Sequence, residues 1–132
     1  MKESDAKFSI RKRLASFKFA FSGLRSLFKH EHNSRLHLLA ALLVIAMGFI
    51  LGISRTEWMI LVIIIAMVFI TEILNSAIES LADYVSPEYN SIIKRVKDYC
   101  AAAVLISAIT SVIVGLIIFL PKVIQILFSG KG

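Results

Sequence analysis

Residues 58–70 carry no charged side chain, and the chain runs on without a turn signal into Thr71-Glu72-Ile73-Leu74-Asn75-Ser76-Ala77-Ile78-Glu79. An apolar run of this kind is read as a helix crossing a bilayer. From Trp58, at its start, Glu72 lies about 21 Å and Glu79 about 31 Å along the helix. Glu72 then falls inside the far leaflet and Glu79 at the far interface. Glu72, Asn75 and Glu79 share one helix face, which Asp83 continues. Ionisable groups at such depth are costly, and they usually line a bundle interior or a reaction site. Whatever this chain folds into must shield or use that face.

The rest of the chain reads as a frame for it. At 132 residues the default is a single domain, 1–132. A mean hydropathy of +0.81 and 58% hydrophobic residues exceed what a small soluble core can hide, so the class is an all-α integral membrane protein. The lone Cys100 excludes an intrachain disulfide and a cysteine-rich metal site. Residues about 8–30 are expected to form an N-terminal amphipathic helix. Its stripe of Ile10, Leu14, Phe17, Phe21, Leu24 and Phe28 advances by alternate fours and threes. The basic residues lie mostly off the stripe, which suits the membrane interface; a coiled-coil seam or a helix packed on the bundle is the alternative. The first thirty residues lack the pattern of a secretory signal. Three spans are expected at about 36–53, 58–84 and 99–120. The first two are joined by a polar turn at 54–57, and the third ends at Pro121. Ala103, Ser107, Ser111 and Gly115 recur every four residues in the third span, an ordinary signal for close helix contact.

Nine Lys and Arg lie in residues 1–35, three between the second and third spans, one between the first and second, and two after the third. That asymmetry orients the N-terminus to the cytoplasm, and it explains the +6 net charge as membrane orientation rather than nucleic-acid binding. It also makes Glu31, the Glu72 face and the 94–98 segment converge on one membrane surface.

Glu31 and Glu79 are candidate oxygen ligands for a hard cation such as Mg²⁺, which often takes only one or two carboxylates plus phosphate oxygens. Lys97 is a candidate phosphate binder, with Asp98 orienting it or touching a nucleotide. Glu72, held away from bulk water, is a candidate proton acceptor. Together these suit phosphoryl transfer to a hydroxyl carried by a lipid, where positioning and electrostatics do most of the work. Simpler readings stand beside these. Glu72 with Asn75 can be a polar clamp between helices, and Glu79 and Asp83 solvated charges. Lys94, Arg95 and Lys97 can serve orientation alone, and His30, His32 and His37 read as interfacial polar residues. No P-loop and no kinase-type glycine-rich loop is present. A small transporter or channel subunit using Glu72 as an ion or proton site, and a purely structural membrane protein, are the readings from other classes.

The segment from Glu72 to Glu79, followed by Asp83 and by Lys97-Asp98 ahead of an alanine-rich stretch, resembles the small bacterial integral-membrane diacylglycerol kinases, a family that includes undecaprenol kinases. The likeness runs from about Lys12 to Leu120, and Gly23-Leu24-Arg25 with Glu31 six residues on is similar to the family's surface-helix segment. The resemblance implies a homotrimer of three-span subunits in the bacterial inner or plasma membrane, with active sites between subunits. It implies ATP- and Mg²⁺-dependent phosphorylation of a lipid alcohol, either diacylglycerol to phosphatidate or undecaprenol to undecaprenyl phosphate. Glu72 matches the catalytic base, Glu31 and Glu79 the metal and nucleotide carboxylates, and Asn75 and Arg25 substrate-side residues. Lys97 and Asp98 match the nucleotide-contacting pair; Lys12, Phe19, Glu88, Tyr89 and Asn90 fall at further nucleotide positions. Phe19 stands where the family has a tyrosine and Asn90 where some members have a histidine, while Arg11 and Arg13 flank Lys12.

Overall fold

The computed structural model describes residues 10–129, and for Arg11, Lys12, Arg13 and Ser129 the backbone alone. The expected first residues of the surface helix, 8 and 9, lie outside the described residues. Four helices follow in order: α1 (Ile10–His30), α2 (His32–Ile50), α3 (Arg55–Val85) and α4 (Ser91–Ser129). The last three are long and apolar enough to cross a membrane.

Each break between helices has a local cause. At Glu31 the backbone turns extended, with φ −98° and ψ 116°. Arg35 reaches back over this elbow, donating from Nε to the Phe28 carbonyl at 2.9 Å and from Nη2 to the Lys29 carbonyl at 2.7 Å. A cation thus satisfies carbonyls left open at the end of α1. α2 ends at Ile50, and two residues on Gly52 turns the chain with a φ of +61°, the left-handed conformation that glycine adopts without a Cβ penalty. The Ile53 amide closes the end by donating to the Gly48 carbonyl at 3.1 Å. The polar turn 54–57 is the capping box of α3. The Glu57 amide donates to Ser54 Oγ at 3.3 Å, and the Ser54 amide donates to Glu57 Oε2 at 2.6 Å. This cap lets α3 begin three residues earlier than Trp58. At the far end Asn90 Oδ1 accepts from the Ile92 and Ile93 amides at 2.9 and 3.3 Å, capping α4.

The expected spans 36–53 and 58–84 sit on α2 and α3 with shifted ends. The third departs further. α4 takes in the basic 91–98 segment and runs through Pro121, which was expected to end it. Proline there forgoes one backbone hydrogen bond. The helix nevertheless continues, with apolar residues flanking the proline and Lys122 paired to Glu57 at 3.2 Å. In membrane helices such prolines are tolerated.

α3 and α4 form the most extensive pair, an antiparallel hairpin, with α2 packed against α3. A small core of Ile53, Leu61, Ile118 and Phe119 closes the end where α2 turns into α3. α1 joins the bundle only by its last turns. Leu27 is buried, and Phe28 meets Phe69 edge-on with ring centroids 5.9 Å apart. The stripe from Ile10 to Phe21 is exposed, so it is not a seam against the chain's own bundle. The small-residue stripe of α4 is also uneven. Ser107 is buried, while an added Cβ at Gly115 would meet nothing within 4 Å.

Candidate active site

α3 is long enough, at 31 residues, to carry Glu79 to the far interface and Asp83 about one turn beyond it. Glu72 sits where α2 crosses α3 and is only 3% exposed. Its Oε1 lies 3.6 Å from His37 Nε2 and has no hydrogen-bond partner. One turn on, Asn75 Nδ2 donates to Glu79 Oε1 at 3.3 Å, while Asn75 Oδ1 is buried without a partner. Ser34 Oγ, wholly buried at the head of α2, is the third such atom among the described residues. A buried acceptor left unmatched costs about 1–3 kcal/mol, so the Glu72 and Asn75 oxygens, one turn apart on α3, mark a place suited to receiving a donor.

α4 pins this level of the bundle. Thr71 and Ser107 share a hydrogen bond between their hydroxyls at 2.8 Å. One hydroxyl donates in this contact, and the one that accepts keeps its own proton for its helix, Thr71 Oγ1 to the Val68 carbonyl or Ser107 Oγ to the Val104 carbonyl. Glu72 therefore projects from a turn of α3 held directly to α4.

The charges of Glu31, Glu79 and His37 all act on Glu72. Glu31 makes no capping hydrogen bond from its side chain and lines an open cleft of about 770 Å³ between α1 and α3. The α3 wall of that cleft includes Ser76 and Ser80, next to the carboxylate face on the helical wheel. Lys97 is bonded to Asp83 at 2.9 Å and feels Glu79 as well.

One chain thus brings together Glu31, Glu72, Asn75, Glu79 and Lys97. It does not bring Asp98 to Lys97; Asp98 pairs with Lys94 one turn earlier because an i, i+4 partner on the same helix is within easier reach. Asp83 takes the place beside Lys97 instead. Glu88 and Tyr89 are exposed on the loop before α4, and the Asn90 carbonyl oxygen is engaged as the cap. Phe19 and Arg25 are exposed on α1. The side chain of Lys12 lies outside the described residues. His37, read from sequence as a mere interfacial polar residue, proves to be the neighbour of Glu72. The signal was present: His37 lies inside the expected first span, where the argument applied to Glu72 holds equally.

No group of three or more His, Cys, Asp or Glu side chains able to hold a metal ion occurs among the described residues. Glu31 and Glu79 are two hard oxygen donors, each close enough to Glu72 for its charge to be felt there. A magnesium ion commonly completes such a pair with phosphate oxygens and water. The donor set therefore fits a metal arriving with a nucleotide rather than a free-standing metal site.

The sequence model described as prokaryotic diacylglycerol kinase matches residues 18–119. The chain is 36% identical over 122 residues to the undecaprenol kinase of Bacillus subtilis (strain 168), covering 92% of this chain and 99% of that one. It is 34% identical over 115 residues to a diacylglycerol kinase of Synechocystis sp., covering 86% of this chain and 66% of that one. It is 36% identical over 95 residues to the diacylglycerol kinase of Escherichia coli (strain K12), covering 72% and 78%.

Proposed function

The chain belongs to the prokaryotic diacylglycerol kinase family, and from that premise we propose that it transfers the γ-phosphoryl group of ATP, with Mg²⁺, to the alcohol of a membrane lipid at the cytoplasmic surface of a bacterial cell membrane. Family membership makes it a membrane lipid kinase and sets aside the transporter and purely structural readings. The acceptor is diacylglycerol or undecaprenol. The relative that matches nearly end to end is an undecaprenol kinase, which makes the prenol the first acceptor to try.

The observation that carries the mechanism is the buried Glu72 with an unpartnered Oε1, one turn from a cleft open between α1 and α3. A lipid hydroxyl entering along that cleft would donate its hydrogen bond to Glu72, and Glu72 would take the proton as the oxygen attacks the γ-phosphorus. Asn75 holds Glu79 in place. Glu31 and Glu79 hold the metal, which when bound neutralises phosphate charge. Lys97, steadied by Asp83, meets the phosphates as a cation. Asp98 and the loop residues Glu88, Tyr89 and Asn90 form the nucleotide side, with Lys12 and Phe19 of α1; Arg25 faces the lipid headgroup. The N-terminus is cytoplasmic, a reading supported by the Lys and Arg distribution. α1 lies along the interface on its exposed apolar stripe. The subunits assemble as homotrimers, for which the largely unburied apolar faces of all three spans leave ample surface.

The test is transfer from labelled ATP to diacylglycerol and to undecaprenol, separately, in mixed micelles with Mg²⁺, for wild type and Glu72→Gln. Wild type phosphorylates one lipid far faster. Glu72→Gln binds nucleotide with wild-type affinity and loses about 100-fold or more in rate, the scale of general-base catalysis. Full activity in Glu72→Gln removes the base assignment.

A further inference from the structure

Transfer to an alcohol leaves a proton that must go somewhere. The O–H bond of the lipid breaks and an O–P bond forms. The bond from the γ-phosphorus to the bridging oxygen breaks, and ADP departs with that electron pair. The proton passes to Glu72, which at 3% exposure has almost no contact with water. Until it is unloaded, Glu72 cannot act as a base again.

The structure places one group to do this. His37 Nε2 lies 3.6 Å from Glu72 Oε1. Among the described residues His37 is the one basic side chain within ion-pair distance of Glu72. Its side chain is 25% exposed against 3% for Glu72, so the imidazole spans from the buried carboxylate to the chain's surface. The other charged groups acting on Glu72 are carboxylates, Glu31 from the elbow before α2 and Glu79 from α3 itself, and neither is a better outlet for a proton held beside negative charge. On α4, Lys97 is occupied by Asp83. An imidazole can take a proton on one ring nitrogen and release one from the other. A gap of this size is ordinary for a catalytic hydrogen bond that tightens once substrate is bound.

We propose that His37 is a positioning residue for the transfer, unloading Glu72 by accepting its proton at Nε2 and releasing one from its other ring nitrogen toward the membrane interface, where the expected first span begins. The proposal rests on Glu72 being the base, and the test separates the two ideas.

His37→Gln, His37→Ala and Glu72→Gln are compared with wild type for kcat, both KM values and the pH profile of kcat, in the same micelles. Oligomer size and melting midpoint confirm that each is folded. His37→Gln is expected to lower kcat at least about tenfold with both KM values within about twofold. It should also alter the acid side of the pH profile of kcat, while leaving the limb that Glu72 contributes as the base. Added imidazole should restore activity to His37→Ala, a result that packing alone would not produce; if the alanine variant does not fold, His37→Gln carries the decision. Wild-type kcat and an unchanged pH profile in His37→Gln, with Glu72→Gln inactive, overturn the outlet and leave the base standing. An active Glu72→Gln overturns both.

Discussion

Replacing Gly48 by alanine probes how tightly α2 is set against α3 at the end of the bundle away from the site. A Cβ at Gly48 would lie 2.8 Å from Trp58 Cη2, 2.9 Å from Trp58 Cζ2 and 3.1 Å from Ile53 Cδ1. Carbon contacts are comfortable at about 3.5–4.0 Å, so the indole must retreat by about 0.7–1.2 Å. It is not free to do so, because it also packs on Phe49 at a centroid separation of 4.8 Å and against the core of Ile53, Leu61, Ile118 and Phe119. Overpacking of this kind costs about 1–3 kcal/mol, against a gain of about 1 kcal/mol from replacing a helical glycine by alanine. The net expectation is about 0–2 kcal/mol of destabilisation. Trp58→Phe removes both ring atoms in the close contact. In that background Gly48→Ala should keep the gain and shed the cost, stabilising by up to about 1 kcal/mol. The measurement is a double-mutant cycle of unfolding in mixed micelles, followed by the helical circular dichroism signal. In the proteins that keep it, emission from Trp58, the chain's one tryptophan, gives a second probe. Equal effects of Gly48→Ala with and without the indole would refute the packing argument.

Two further outcomes follow from the same helix contacts. Ala41 is buried one turn beyond His37 on α2; Ala41→Leu should wedge α2 from α3 and lower kcat by up to about a hundredfold, the scale of an ångström's misplacement. The exposed Leu42→Val serves as the control that should change little, and equal activity in both variants would show that α2 does not seat the site. Thr71→Val breaks the hydroxyl pair with Ser107 and should lower stability by about 0.6–1.7 kcal/mol, read from the same unfolding assay; no loss would mean that the contact does not hold α3 to α4.

Much of the fold was legible because a bilayer imposes a simple rule: apolar runs of sufficient length become helices. That rule found α2, α3 and the centre of α4, and the cost of charge at membrane depth singled out the Glu72 face. It misjudged Pro121, because a proline ends helices in water more reliably than in an apolar bundle. It also overlooked a second small-residue stripe. The residues buried along α2 are Ser34, Ala41 and Gly48, seven apart, and α3 answers with Leu61, Val68 and Ala82 at multiples of seven. A seven-residue seam of small side chains is a close-packing signal as good as the four-residue stripe on α4. It was hidden because each member differs in chemistry. Pairings across helices were illegible for a deeper reason. Periodicity within one helix says which residues share a face, but not where along its partner that face sits. Here the register is set at one end by Gly48 against Trp58 and read at the other by His37 against Glu72. The helices run antiparallel, so the two contacts are rungs of one seam. A slip of a single residue, about 1.5 Å along the axis, would unseat the indole and also carry His37 away from the carboxylate. The glycine that fits the tryptophan and the histidine that meets the glutamate are therefore two consequences of one alignment.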